Sequence, residues 1–291
     1  MKPVVMSFFH DETCTFTYVV FDAEQRSGVV IDPVLDFDQA SGKVSYESAN
    51  QVLEYVNEQQ LTIEWILETH AHADHLTAAQ YLKHKTNAQV AIGKGIATVQ
   101  KTFKEIYNLS EAFPVEGEQF DRCFSDGDSF SIGSLTVDVI ATPGHTNDSV
   151  TYLIGDAAFI GDTMFHPSLG TARCDFPGGD AAMLFNSIQR LFALPPNTRI
   201  FLCHDYPEGD RSPTCQVTLV EQKTENIHVK EGNSKQDFIA FRTARDNSLA
   251  APRLLLPAIQ VNIAAGHFPK PEGNQQIYLK SPVTFPQIGD K

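Results

Sequence analysis

A segment that begins at Thr69 and reads Thr-His-Ala-His-Ala-Asp-His carries four potential metal ligands within six positions. Imidazole and carboxylate groups are the usual ligands of zinc, non-haem iron and manganese in proteins. The segment directly follows a short apolar run that predicts a buried strand. Because a strand turns alternate residues to one face, His70 and His72 would point the same way if the strand continued. Asp74 and His75 would then come from the turn that follows, so the segment predicts one wall of a metal site.

Three further candidate ligands each follow an apolar run that also predicts a strand. His145, Asp162 and His204 come two to four residues after such runs. Loops at strand ends, held by a rigid scaffold, are where functional groups collect. A single histidine in such a place is more often a hydrogen-bonded structural residue, but here four strands in turn end in His or Asp. We therefore expect these side chains to meet the Thr69–His75 segment in one site.

The order of the elements that carry these residues defines the fold class. Hydrophobic spacing, with glycine and proline at the turns, predicts two similar runs of strands, helix and strand. The predicted strands are 15–21, 28–33, 63–68, 89–92, 128–132, 135–141, 150–154, 157–160 and 199–203, and the predicted helices are 45–58, 76–84, 96–107, 181–194, 215–226 and 235–247. This α+β order fits an αββα sandwich, in which two sheets pack face to face with helices outside. We see no convincing linker, so we expect a single domain over residues 1–291 with a C-terminal helical extension.

Composition limits the partners of the chain. Its 291 residues are 42% hydrophobic and carry a net charge of -14. Nucleic acids and anionic membrane surfaces require a basic face, so we expect neither as a partner, and an anionic substrate would need a local basic pocket. No apolar run reaches membrane-spanning length, the first residues show no secretory signal, and the five cysteines form no Cys-x-x-Cys pair. These features predict a cytoplasmic protein with reduced thiols.

The ligand motifs resemble those of the metallo-β-lactamase superfamily, whose fold is the αββα sandwich. His-x-His-x-Asp-His, Pro-Gly-His, Gly-Asp and a late His occur here in that order. Within the superfamily, the chain resembles the persulfide dioxygenase (sulfur dioxygenase) branch, in a longer bacterial form. The matching pieces span nearly the whole chain. The branch assignment depends on the Cys-Thr-Phe-Thr-Tyr start at Cys14 and on Arg173 with Asp175 and Phe176.

Members of that branch bind one iron(II), and the resemblance implies that the ligands here are His70, His145 and Asp162. Two histidines and one carboxylate form the facial triad of non-haem iron sites, which leaves coordination positions open. The other polar residues of the motifs are implied to orient the ligands and hold water: His72, Asp74, His75 and His204. The implied reaction converts glutathione persulfide, O2 and water to glutathione and sulfite. The sequence alone does not separate one metal from two, because every residue needed for a second site is present.

Glutathione carries two carboxylates, so its pocket should contain cationic and polar groups. By resemblance, Arg173 and Tyr206 line that pocket, and Lys223 and His228 fall where the family places basic residues. His228 stands in place of an arginine, and a neutral histidine is a weaker partner for a carboxylate. The alternative for Lys223 is a solvated helix face.

Two other functions fit the same motifs. A hydroxyacylglutathione hydrolase of the glyoxalase II type would use two metals to generate hydroxide and cleave a thioester. A sulfane-sulfur sensor would bind without catalysis. The Phe-Pro-Lys-Pro sequence at 268–271 favours the dioxygenase over the hydrolase, and the complete, open ligand set argues against the sensor. Segments 36–46 and 92–123 look like insertions, which would cover the entrance to the site, form a homodimer contact or bind a different persulfide.

Overall fold

Two six-stranded sheets form the centre of the protein and carry the site residues at their strand ends. The computed structural model describes residues 2–207 and 209–285. The strands are β1 (Val4–His10), β2 (Thr15–Phe21), β3 (Ser27–Ile31), β4 (Val34–Asp38), β5 (Lys43–Ser45), β6 (Thr62–Leu67), β7 (Leu76–Thr77), β8 (Gln89–Gly93), β9 (Arg122–Phe124), β10 (Ser129–Ile132), β11 (Leu135–Ala141), β12 (Val150–Ile154), β13 (Ala157–Phe159), β14 (Arg199–Phe201) and β15 (Gln216–Thr218). The helices are α1 (Glu47–Glu58), α2 (Ala79–Thr86), α3 (Ile96–Ile106), α4 (Ala181–Phe192), α5 (Leu219–Glu225), α6 (Lys235–Asp246) and α7 (Leu255–Asn262).

The strand order separates the two halves of the chain. One sheet runs β1-β2-β3-β6-β8-β9, the other runs β10-β11-β12-β13-β14-β15, and a small sheet joins β5, β4 and β7. From β3 to β9 the pairing is parallel, as it is between β13 and β14, whereas the other pairs of the two large sheets are antiparallel. Parallel neighbours need a crossover helix and bring their carboxyl ends to the same edge. The loops after β6, β13 and β14 start from such ends.

Three apolar layers hold these elements together. The layer between the sheets includes Tyr18, Ile31, Tyr152, Phe159 and Phe201. Outside it, α1, α2, α3 and α7 pack on the first sheet, and α4 and α6 pack on the second. Because it lies within these layers, β2 is buried along its whole length. This helix–sheet–sheet–helix order confirms the αββα sandwich that the element order predicts.

Several elements differ from the sequence-based prediction. The predicted helix 215–226 is wrong in its first part, because residues 216–218 form the edge strand β15 and the helix begins after a capping box between Thr218 and Glu221. The start of the predicted helix 76–84 is likewise a short strand, β7. Strands β1, β4, β5 and β9 were not predicted. Helix α7 was also not predicted, because it is buried on almost every side and therefore shows no amphipathic period.

The remaining features bear on the predicted organisation of the chain. Segment 36–46 contains the end of β4 and all of β5, and segment 92–123 contains α3. All five cysteines are free thiols. In residues 2–207 and 209–285 we find no helix whose length and apolar character would let it cross a membrane. The single-domain organisation over 1–291, part of which lies outside the described residues, stays a prediction, as do the roles of the two segments.

Candidate metal centre and substrate pocket

The predicted ligands from four strand ends meet in one place. Strand β6 ends at Leu67, so His70 comes from the loop after it rather than from a continued strand. The ligand atoms of His70, His145 and Asp162 all lie within 4.8 Å of one another. His145 Nε2 is 3.6 Å from Asp162 Oδ2, and Asp162 Oδ1 is 3.5 Å from His204 Nε2. Residues far apart in sequence therefore form a single cluster of nitrogen and oxygen donors.

The donor atoms of this cluster fit a metal ion. Buried polar atoms normally have hydrogen-bond partners, and leaving one without a partner costs about 1–3 kcal/mol. Within the part of the chain that the structure describes, five buried atoms at the cluster have none: His70 Nε2, His75 Nε2, His204 Nε2, Asp74 Oδ2 and Asp162 Oδ1. Imidazole nitrogens and carboxylate oxygens that converge in this way are the donor set of a zinc, iron or manganese site.

Outer hydrogen bonds hold the imidazoles in the form that a metal requires. Thr69 Oγ1 donates to Asp32 Oδ2 at 2.8 Å, so it accepts from His70 Nδ1 at 3.0 Å. His145 Nδ1 donates to the Arg173 carbonyl at 2.7 Å. In both residues the proton sits on Nδ1, which leaves the Nε2 lone pair directed into the cluster. Burial, with the nearby histidines, also lowers the pKa of His70 well below its usual value, so its imidazole is neutral.

Glycine before His145 lets the loop that carries it pack closely on α4. Gly144 has φ +141°, and a Cβ there would lie 2.3 Å from the backbone of Leu184. Any other residue would push the loop away from α4. The Pro-Gly-His motif therefore sets the position of the His145 imidazole.

A second set of donors lies beside the first. His75 Nδ1 donates to the Leu76 carbonyl at 3.1 Å, which directs Nε2 inward. His204 Nε2 lies 3.2 Å from Asp74 Oδ2. Since the two oxygens of Asp162 face His145 on one side and His204 on the other, that carboxylate stands between the two sets. The arrangement can hold one metal or two.

His72 lies over two carboxylates behind this cluster. Its Nε2 is 3.0 Å from Asp32 Oδ1 and 3.6 Å from Glu68 Oε2. Burial lowers the pKa of His72, but the charge of the adjacent Asp32 outweighs burial and raises the pKa to about 10. The His72 ring centroid is 4.0 Å from that of His70. The carboxylates thus orient an imidazole that packs directly against a candidate ligand.

Asn262 of α7 fixes the loop that carries the second set, and the sequence analysis missed it. Its Oδ1 accepts from the Thr77 amide at 2.9 Å, and its Nδ2 donates to the carbonyls of His72 and His75 at 2.7 and 2.8 Å. The side chain is buried. The only signal for it in the sequence is a polar residue in an otherwise apolar stretch.

A cavity of about 440 Å³ opens onto the cluster, a volume in the range of small-ligand pockets. Asp74, His145 and Asp162 form part of its wall. Arg173 and Tyr206 line it, where the sequence analysis expects substrate contacts. Arg242, Arg245, Phe165, Leu169 and Phe176 line it as well, and these residues were not predicted.

The structure does not bring Lys223 and His228 to the cavity wall. His228 Nδ1 instead accepts a hydrogen bond from the Thr171 amide at 3.0 Å, and its ring packs on Gly170, where a Cβ would lie 2.1 Å from Nδ1. Lys223 Nζ lies 5.9 Å from the centroid of the Phe192 ring. His228 therefore supports the loop behind the cavity wall, and Lys223 covers an aromatic ring.

Comparison with known proteins identifies the family. Residues 13–204 match the family described as the metallo-beta-lactamase superfamily. Glyoxylase B2 of Dictyostelium discoideum is 48% identical over 276 residues, which cover 94% of each chain. The mitochondrial persulfide dioxygenase ETHE1 of Mus musculus is 33% identical over 269 residues, 91% of this chain and 89% of that protein. The crystal structure of ETHE1 from Myxococcus xanthus aligns with a TM-score of 0.72 and 32% identity, over 91% of this chain and all of that one.

The matched region contains each of the candidate metal ligands, and the relatives extend over most of the chain. The fold, the donor cluster and the sequence similarity agree. The chain therefore belongs to the metallo-beta-lactamase superfamily.

Proposed function

We propose that the protein is an iron(II)-dependent persulfide dioxygenase, which converts glutathione persulfide, O2 and water to glutathione and sulfite. In this proposal His70, His145 and Asp162 hold one iron per chain. The similarity to ETHE1 supports it, as does a triad that lies beside a cavity of ligand size. A facial triad leaves room for both the persulfide sulfur and O2.

The observation that carries the proposal is the position of the two segments that mark the dioxygenase branch. In one of them, the Arg173 carbonyl accepts from His145 Nδ1, and the Phe176 ring meets the His145 ring edge-on at 5.2 Å. In the other, the Cys14 carbonyl and Thr15 Oγ1 each lie 3.2 Å from His204 Nδ1. The two segments that the resemblance links to the branch thus contact the imidazoles of His145 and His204.

The chain's own groups have defined tasks in this reaction. Iron(II), when held by the triad, would supply the redox chemistry that activates O2, and the persulfide sulfur would supply the four electrons that reduce O2 as the sulfur becomes sulfite. His70, His145 and Asp162 would hold the iron, and since His145 and Asp162 form part of the cavity wall, a substrate in the cavity would reach it. Apolar side chains of the wall, such as Phe165, pack around the persulfide and limit the access of water. His204 and Asp74, whose Nε2 and Oδ2 lie 3.2 Å apart beside the triad, would orient the water that the reaction consumes.

The alternative is a hydrolase of the glyoxalase II type, which uses two metals. Two observations favour it. The second set of donors, Asp74, His75 and His204, has unpaired buried atoms, and the chain is 48% identical to a glyoxylase. A pair of metals, when bound, supplies a hydroxide for thioester cleavage.

Counting the metals separates the two proposals. Protein loaded with iron under nitrogen and then desalted should retain one iron per chain and should not hydrolyse S-lactoylglutathione. The variant Asp74→Asn should keep the same iron content, because this carboxylate belongs to the second set. Two metals per chain, falling to one in Asp74→Asn, together with thioester hydrolysis by the wild type, would contradict the dioxygenase proposal.

A further inference from the structure

Three guanidinium groups line the cavity beside the candidate metal centre: Arg173, Arg242 and Arg245. The chain has a net charge of -14, so this concentration of positive charge stands out from its surroundings. The acidic side chains of the cavity wall are Asp74 and Asp162, both at the metal cluster. A pocket with carboxylates at the metal cluster and guanidinium groups elsewhere on its wall suits a ligand that carries an anionic group besides its reacting atom.

Two of the three arginines are already neutralised by partners. Arg173 donates from Nε and Nη2 to both oxygens of Asp175 at 2.6 Å, and from Nη1 to the Ala250 carbonyl. Arg242 is 1% exposed and donates from Nε to Asp246 at 2.8 Å. A guanidinium that donates two hydrogen bonds to a carboxylate has most of its positive charge balanced by that partner. These two arginines hold the cavity wall together.

Arg245 differs from both. It lies in the last turn of α6, is exposed, and has no acidic side chain within ion-pair distance among residues 2–207 and 209–285. The helix beneath it is anchored, since Arg242 donates to the Thr171 carbonyl at 3.1 Å and Asp246 accepts from the Cys174 amide at 2.8 Å. Among the described residues, Arg245 is therefore a cation without an acidic partner, on an anchored helix, at the wall of the cavity.

His228 occupies the position where the family resemblance places a basic residue, but it does not supply a positive charge. His228 accepts from the Thr171 amide through Nδ1, which requires that nitrogen to carry no proton. Burial, with the nearby Arg242 and Arg245, lowers the pKa of His228 to about 4, so the imidazole is neutral. A carboxylate in the cavity would find no positive charge at residue 228.

We propose that Arg245 binds the C-terminal carboxylate of a glutathione-type substrate and so determines the preference of this protein for small, carboxylate-bearing thiol derivatives. The choice of glutathione as the probe rests on the proposed function. A planar guanidinium matches a carboxylate with two parallel hydrogen bonds, which an imidazole does not provide. The cation comes from α6, a helix outside the region 13–204 that matches the family.

The test measures binding rather than turnover. Iron-loaded protein under nitrogen is titrated with glutathione, and with its monoethyl ester at the glycine carboxylate, by calorimetry. Loss of a charged hydrogen-bond pair should raise the Kd for glutathione by about 10- to 100-fold in Arg245→Gln. The wild type should bind the ester more weakly than it binds glutathione. Arg245→Gln should bind the ester and glutathione equally well, because esterification and the substitution remove the same interaction. Arg245→Lys should recover part of the affinity.

The control is Lys235→Gln, which removes a positive charge from the first turn of the same helix, away from the cavity wall. It should leave the Kd for glutathione unchanged. Three outcomes would each overturn the inference. They are equal glutathione binding by Arg245→Gln and wild type, an equal loss of affinity on esterification in both proteins, and no saturable binding by the wild type. Binding that depends on Arg245, in a protein that consumes no O2, would support this inference while the dioxygenase proposal failed. O2 uptake by Arg245→Gln with the wild-type KM for glutathione persulfide would support the dioxygenase proposal and overturn this inference.

Discussion

The Asp162→Ala variant should lose both its bound metal and its turnover. Asp162 is the one carboxylate of the triad, and its oxygens face His145 Nε2 at 3.6 Å and His204 Nε2 at 3.5 Å. Loss of a contact that only orients a ligand typically weakens metal binding by about 10- to 100-fold, so loss of a ligand itself should weaken it by more than ~100-fold. Metal per chain after dialysis and the rate of O2 uptake with glutathione persulfide measure the two losses.

A matched control for this variant is Asp138→Ala. Asp138 lies at an exposed position of β11, in the sheet that also delivers Asp162. The control should keep the wild-type metal content and rate. Metal retention and turnover in Asp162→Ala, with a thermal unfolding curve like that of the wild type, would show that the carboxylate is not a ligand.

The Arg242→Ala variant should be strongly destabilised. Arg242 and Asp246 form an ion pair in which the side chains are 1% and 5% exposed. Removal of the guanidinium leaves the Asp246 carboxylate buried and unpaired, and breaking a buried pair in this way costs about 3–5 kcal/mol. The Thr171 carbonyl also loses its donor. Urea unfolding should show the lower free energy of unfolding as a lower midpoint with little change in slope.

Two comparisons give this prediction its control. Arg245→Ala, on the same helix but exposed and without an acidic partner in the described chain, should change the free energy of unfolding by no more than about 0.5 kcal/mol. Replacing both members of the pair, with Arg242→Met and Asp246→Leu together, should recover most of the stability, because no unpaired charge remains. An Arg242→Ala variant as stable as the wild type would refute the account of the cavity wall.

The sequence predicts the central sheets and the convergence of the candidate ligands because both have local signals. Strand β2 has its predicted bounds, Thr15–Phe21, since a run of aromatic and β-branched residues favours a buried strand. His145, Asp162 and His204 were found because each polar residue closely follows an apolar run. Their convergence in space then followed from the topology of the sandwich rather than from any single motif.

The substrate side of the site could not be read from the sequence in the same way. Arg242 and Arg245 lie on α6, and only the packing of that helix on the segment after Thr171 turns them to the cavity. Asn262 reaches the loop of the second donor set across 185 to 190 residues of sequence. His228 occupies the expected place along the chain, but its hydrogen bond to the Thr171 amide turns it to a structural task. These contacts depend on tertiary packing, for which hydrophobic period and motif spacing give no signal.

The most direct test of the central claim is the measurement of O2 consumed and sulfite released by the iron-loaded wild type with glutathione persulfide. The proposed reaction predicts one sulfite for each O2, with glutathione as the second product. Hydrolysis of S-lactoylglutathione by the same preparation, without O2 uptake or sulfite release from the persulfide, would contradict the claim.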